Sequence, residues 1–308
     1  MTREGSTSAG AGAGARNRAS VTASASVTAT DGVRVAVHLL GGAGPDLMLA
    51  HATGFHGRIW RPVADRLASD YRCVAPDLRG HGDSAAPPPQ ELDWSGLAAD
   101  LLAAVDGLGL GHPFGVGHSS GATALLLAEQ ARPGTFGALY CFEPVIVPAD
   151  PPLGRDRDSW LAEKARGRRA AFASRAEALS HYDARPPLSE LDPATLRAYV
   201  EHGLEDAPGG GVQLKCTPAH EALVYEMATA HDCFARLGQV RCPVTLVRGG
   251  RSEAYRPRLF EQLAGRLHRP ASEALADLSH LGPMEDPDAV ARSIRRAFAA
   301  TDERPRTR

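Results

Sequence analysis

The sequence predicts an α/β protein: a mainly parallel sheet with helices on both faces, interrupted once by a helical insertion. Three observations predict it. Short apolar runs alternate with helical stretches from residue 33 to residue 142. The rhythm lapses from 149 to 234, where charged helical segments dominate, and it resumes from 244 to 299. Such alternation buries the strands beneath helices on both faces of one sheet.

Each element has its own signal. Residues 33–39 alternate β-branched and other side chains, as a strand does. Residues 46–51 form a short apolar run after a Gly/Pro turn, suited to a strand covered on both faces. Helical spacing over 59–67 precedes another short strand at 72–76. The stretch 92–108 is an amphipathic helix with Leu97, Leu101, Val105 and Leu108 on one face. A strand at 114–117, an Ala- and Leu-rich helix at 122–131 and a strand at 136–142 follow. The insertion shows helical segments at 159–173, 175–182, 193–202 and 218–231, separated by prolines and by Gly209-Gly210-Gly211, and no clear buried strand. A strand at 244–247, a helix at 257–267, a short strand at 272–278 and a helix at 286–299 complete the chain. The expected division is a disordered tail over 1–25, a core over 26–148, a helical cap over 149–234, the rest of the core over 235–300, and a charged disordered tail over 301–308. Residues 5–25 are nearly all Gly, Ala, Ser and Thr, which cannot bury enough apolar surface to order themselves. They also lack the apolar run of roughly 7–15 residues that a secretory signal needs.

Composition bounds the function. The chain has 308 residues, 43% hydrophobic and 23% charged, with a formal net charge of −2. That is a globular composition with ample material for a core, and its neutrality removes the electrostatic case for nucleic-acid binding. No stretch approaches the ~18 unbroken apolar residues of a membrane span. The cysteines, Cys73, Cys141, Cys216, Cys233 and Cys242, are odd in number and lack C-x-x-C spacing, which reads as reduced thiols in a cytoplasmic protein rather than a disulfide framework or zinc site. The sequence sets no oligomeric state.

The chemistry concentrates at Gly117-His118-Ser119-Ser120-Gly121, which fits G-x-S-x-G. The motif is short, but it follows a predicted strand and opens a predicted helix. A sharp turn there lifts the Ser119 hydroxyl clear of the sheet, and flanking glycines let neighbouring backbone pass close. The competing reading is a Gly-rich turn carrying an ordinary serine. Ser120 offers its backbone N–H rather than its hydroxyl.

Three further segments extend the pattern in order: His51-Ala52-Thr53-Gly54-Phe55, Asp77-Leu78-Arg79-Gly80-His81-Gly82-Asp83-Ser84, and Ser279-His280-Leu281-Gly282-Pro283-Met284-Glu285-Asp286-Pro287. With these the chain resembles the α/β-hydrolase superfamily, in its capped, single-domain, serine-nucleophile form, from roughly residue 27 to residue 300. The resemblance implies that Ser119 is the nucleophile and His280 the general base, because triad order in that fold is nucleophile, acid, histidine. It implies oxyanion-hole donors at the backbone N–H groups of Thr53 and Ser120. Ala52 departs from the glycine usual in that loop. Two carboxylates are candidates for the acid. Many relatives carry Asp three residues after the glycine corresponding to Gly249, and here that residue is Ser252, so Glu253, one further on, is one candidate. The other is Glu143, at the end of the strand before the insertion, where haloalkane dehalogenases place their glutamate. The spacing favours Glu143. Asp77, Arg79 and Asp83 resemble a metal or phosphate cluster in isolation, but the family gives that turn a structural role. His51 and His118 are likewise expected to be structural, and His56 and Trp60 are candidates for the pocket edge or, equally, for loop and core roles. No G-x-G-x-x-G or P-loop follows a strand, so no nucleotide cofactor is implied, and no metal.

The expected function is therefore hydrolysis of a small-molecule carboxylic ester, thioester or lactone through an acyl-enzyme on Ser119. The same constellation serves acyl transfer and C–C bond hydrolysis, and a non-hydrolytic ligand-binding protein of the same fold is the alternative from another class. A dehalogenase or epoxide hydrolase wants Asp at the elbow, where this chain has Ser. The cap, with Trp160, Phe172, Tyr182, Tyr199, Tyr225 and Met227, is expected to roof the pocket over the carboxyl ends of the strands.

Overall fold

A computed structural model describes residues 24–157 and 159–302, with the backbone alone for Thr301 and Asp302. Most of the N-terminal tail and residues 303–308 of the C-terminal tail thus lie outside the described residues. The eleven described strands are β1 (Ser24–Thr28), β2 (Arg34–Gly41), β3 (Asp46–Ala50), β4 (Arg72–Pro76), β5 (Phe114–His118), β6 (Leu139–Phe142), β7 (Ala171–Phe172), β8 (Leu204–Asp206), β9 (Val212–Leu214), β10 (Val244–Gly249) and β11 (Pro270–Leu275). Eight form one sheet in the order β1-β2-β4-β3-β5-β6-β10-β11. The pairs β1–β2 and β2–β4 are antiparallel, and every pair from β4 to β11 is parallel.

The helices are α1 (Arg61–Leu67), α2 (Trp94–Gly107), α3 (Ser120–Ala131), α4 (Trp160–Arg166), α5 (Arg175–Asp183), α6 (Pro193–Gly203), α7 (Pro218–Glu226), α8 (Pro257–Ala264), α9 (Gly282–Glu285) and α10 (Pro287–Asp302). The period of two along β3 sorts its side chains. Met48 and Ala50 join the core beneath α2, α3 and α8, while Leu47 and Leu49 join the core beneath α1 and α10. All four are fully buried. This is why residues 46–50 read as an unbroken apolar run: both faces are covered. Polar caps set the helix starts. Asp93 accepts from the Gly96 N–H at 2.7 Å, so α2 begins at Trp94. Asp192 accepts from the Ala194 and Thr195 N–H groups, with Pro193 in the first helical position.

Four expectations are corrected. Ser24 and Ala25 belong to β1, paired with His38 and Val37, because the edge of the sheet offers their backbone a partner that composition does not reveal. At the other end, α10 runs two residues into the expected tail. The final strand ends at Leu275, and the following turn carries the chain to His280. The insertion is not purely helical: β7, β8 and β9 form a small antiparallel sheet within it. Strands of two or three residues show no readable alternation, so pairing alone defines them.

Candidate active site

Ser119 sits between β5 and α3 with φ 53° and ψ −118°, a conformation that non-glycine residues seldom adopt. The surrounding packing enforces it. The Ser119 N–H donates to the Phe142 carbonyl at 2.9 Å. A Cβ on Gly117 would lie 2.4 Å from the Ala122 Cα, and one on Gly121 would lie 2.4 Å from the carbonyl oxygens of both Ala50 and His51. The motif's glycines are therefore required by close backbone approach.

His280 follows β11, and its Nδ1–H donates to Glu143 Oε2 at 2.6 Å. That bond places the imidazole proton on Nδ1 and leaves the Nε2 lone pair to accept another. Glu143 stands at the end of β6 with φ 45°, and its own N–H donates to the Val247 carbonyl at 2.9 Å. Its carboxylate is fully buried and held twice more, by the Gly249 N–H to Oε1 at 2.8 Å and by the Ser252 hydroxyl to Oε2 at 2.8 Å. Glu253, the alternative, is exposed, and the group bonded to the His280 ring is Glu143.

The loop after β3 brings Thr53 to Ser120, where the Thr53 hydroxyl donates to Ser120 Oγ at 3.0 Å. His51 fastens this loop: Nδ1 donates to the Ala52 carbonyl at 2.8 Å and Nε2 accepts from the Leu78 N–H at 2.9 Å. Burial lowers its pKa and keeps the ring neutral. His118 donates from Nε2 to the His280 carbonyl at 2.8 Å, fixing the backbone of the histidine loop, and burial again holds its pKa well below the ordinary value. Behind the loop, Gly54 closely approaches Glu221, which is paired with Arg168. No motif marks that pair, which the packing of α7 brings beside the loop without its lining the cavity.

The Asp77 turn ties strands together. The Asp77 carboxylate accepts from the Gly57 N–H at 2.6 Å, the Asp83 N–H at 2.7 Å and His38 Nε2 at 2.8 Å. Burial opposes its ionisation, but the bond to His38 and the nearby His38, His56 and His51 rings together outweigh it and hold the carboxyl below the usual range. Arg79 makes a buried bidentate pair with Asp100 and reaches Asp31 at 2.7 Å. His38, Asp77 and Asp83 are the one group among the described residues with metal-like proximity; Asp77 is already bonded to His38, and Asp83 is paired with Lys215.

Ser119, His280, Thr53 and Ser120 open onto one cavity of about 460 Å³. Trp94, Val145, Ile146, Val147, Val224 and Leu259 make much of its wall, and among the described residues no lysine or arginine lines it. From the insertion, Trp160 and Tyr225 reach the cavity, while Phe172, Tyr182, Tyr199 and Met227 are buried among other side chains. His56 and Trp60 do not edge it; both are buried, and His56 stacks on Tyr199. Sequence reading missed Trp94, the Val145–Val147 wall and Tyr255, which carry no local signature of a pocket.

Comparison with known proteins agrees with this architecture. Residues 47–293 match the model of the alpha/beta hydrolase family. An epoxide hydrolase of Caballeronia sordidicola is 36% identical over 115 residues, which are 36% of this chain and 34% of that protein. A pimeloyl-[acyl-carrier protein] methyl ester esterase of Vibrio atlanticus is 42% identical over 62 residues, 20% of this chain and 23% of the relative. The chain thus spans about a third or less of the length of each of these curated relatives. The crystal structure of E-2-(acetamidomethylene)succinate hydrolase superposes with a TM-score of 0.76 at 20% identity, covering 90% of this chain and 99% of that one. The family match takes in both the Ser119 elbow and the His280 loop, and on it the chain belongs to the alpha/beta hydrolase family.

Proposed function

We propose that this protein is a serine hydrolase of small carboxylic esters, thioesters or lactones, working through an acyl-enzyme on Ser119. The carrying observation is the buried Glu143 carboxylate 2.6 Å from His280 Nδ1, with Ser119 in the same cavity. In this reading Glu143 orients His280 and stabilises its charged form, and Nε2 takes the Ser119 proton as Oγ attacks the carbonyl. The Thr53 and Ser120 N–H groups receive the oxyanion. His280 then protonates the leaving group, and water activated by the same ring releases the acid. The serine favours this chemistry over epoxide opening, which wants an elbow aspartate. The apolar wall, without lysine or arginine among the described residues, favours an uncharged acyl group, since a carboxylate there would lack a cationic partner.

We place the protein in the cytoplasm, a reading supported by five buried, unpaired cysteines. No helix among the described residues is long and apolar enough to cross a membrane.

A fluorophosphonate probe tests the proposal. Covalent capture at Ser119, lost in Ser119→Ala, together with turnover of at least one member of an ester, thioester and lactone panel, is expected. A folded protein inert to the probe and to the whole panel would overturn it.

A further inference from the structure

Among the described residues, the exposed large apolar side chains are Val147, Leu153, Trp160 and Leu161. All four fall in one stretch, the loop after β6 and the first turn of α4. Trp160 is 66% exposed. Scattered single apolar residues on a surface need no explanation, but a cluster at the mouth of a cavity does. Val147, Trp160 and Leu161 also line the Ser119 cavity. They are thus both surface and wall, and they stand where the nucleophile's cavity meets the exterior.

α4 is anchored so that it can present this face. Its Ala162 and Ala165 pack on Ala222 of α7, and Arg166 pairs with Glu226. Trp160 and Leu161 take no part in that seam. The Lys164 ammonium lies 5.9 Å from the Trp160 ring centroid, on the solvent side of a helix whose apolar side borders the cavity.

We propose that Trp160, with Leu161 and Val147, determines specificity by carrying an uncharged alkyl chain of the substrate from Ser119 out through the cavity mouth, so that esters of long linear acids are preferred to those of short ones. This rests on the hydrolase reading above. Within the cavity the occupant is uncharged, because the lining among the described residues is mostly apolar and holds no lysine or arginine, and it is linear, because it must be bonded at Ser119 while covering Trp160 outside. The same wall would leave a short acyl group wholly inside, with the Trp160 ring still in water.

The test compares p-nitrophenyl butanoate with p-nitrophenyl dodecanoate. Trp160→Ala should lower the dodecanoyl-to-butanoyl ratio of kcat/KM about tenfold, or ~1.4 kcal/mol, and Trp160→Phe should restore most of it. Binding gives a second readout. Of the tryptophans, Trp60 and Trp94 are buried and Trp160 is exposed. Dodecanoyl ester added to Ser119→Ala protein should shift emission to the blue, and the shift should shrink when Trp160→Phe is added. An unchanged ratio in Trp160→Ala, or a shift of undiminished size when Trp160→Phe is added, overturns the inference. So does a Trp160-dependent dimer, which would assign the patch to a second copy of the chain. If the fluorophosphonate probe does not label Ser119 and no ester, thioester or lactone of the panel is turned over, but the Trp160-dependent shift persists, the chain path stands and the hydrolase reading fails.

Discussion

Ser252 donates its hydroxyl to the Glu143 carboxylate oxygen that also receives the His280 ring proton. The position at which many relatives carry their acid therefore holds a hydrogen-bond donor that braces an acid on a different strand. Glu143 reaches the ring from the end of β6, and Ser252 closes on it from the loop after β10. The departure at Ser252 and the candidate at Glu143 are two halves of one arrangement.

Glu143→Gln should cut kcat by roughly 10³- to 10⁴-fold on any accepted ester, because an amide cannot stabilise the imidazolium and favours the wrong tautomer. Glu253→Gln should change kcat less than about twofold, as expected of an exposed side chain that does not line the cavity. Steady-state kinetics on both variants checks the assignment, and equal losses would refute it.

The Glu143→Gln, Ser252→Asp double variant should recover at least about tenfold of the kcat lost in Glu143→Gln, since it returns a carboxylate beside the ring. Ser252→Asp alone should lose activity, because two carboxylates would share one buried site. Kinetics of the three variants at one pH decides the matter.

Ser119→Ala should abolish probe labelling and lower turnover by ~10⁴-fold or more, leaving only binding and oxyanion contributions. Its melting temperature should stay within a few degrees of the parent. The Ser119 hydroxyl makes no hydrogen bond among the described residues, so its loss strands no partner.

Gly121→Ala should destabilise the fold by about 3 kcal/mol or more, because the new methyl meets two backbone carbonyl oxygens at 2.4 Å that cannot swing aside. Urea titration would register this as a lower midpoint. A neutral result would contradict the elbow packing.

Stability should fall as pH drops below the ordinary histidine range. His51, His56, His81 and His118 are buried, and burial lowers the pKa of each, to about 3 for His56. Below pH ~6.5 the unfolded chain takes up protons that the folded chain refuses, so each ring's contribution is complete above that pH and is lost toward its folded pKa. The slope is on the order of 1 kcal/mol per pH unit per histidine. Denaturation midpoints between pH 7.5 and pH 5 would display it.

The sequence by itself determined the strand–helix order, the elbow and the histidine loop. The strand–helix order rests on local periodicity, and the elbow and the histidine loop rest on short contiguous motifs and the family resemblance that they carry. It also limited the acid to two carboxylates. Tertiary structure decided the rest. Glu143 and His280 are 137 residues apart in the chain, and only the parallel pairing of β6 with β10 and of β10 with β11 brings the end of β6 beside the loop after β11. Ser24 and Ala25 became strand because β2 offered an edge, and β7 to β9 exist only as partners of one another. The cavity wall is drawn from segments scattered from Ala52 to Leu281, and no short stretch encodes a shape that several elements enclose together. Periodicity and turn chemistry act over a few residues, whereas a pocket and a charge pair depend on distances that exist only once the sheet has formed.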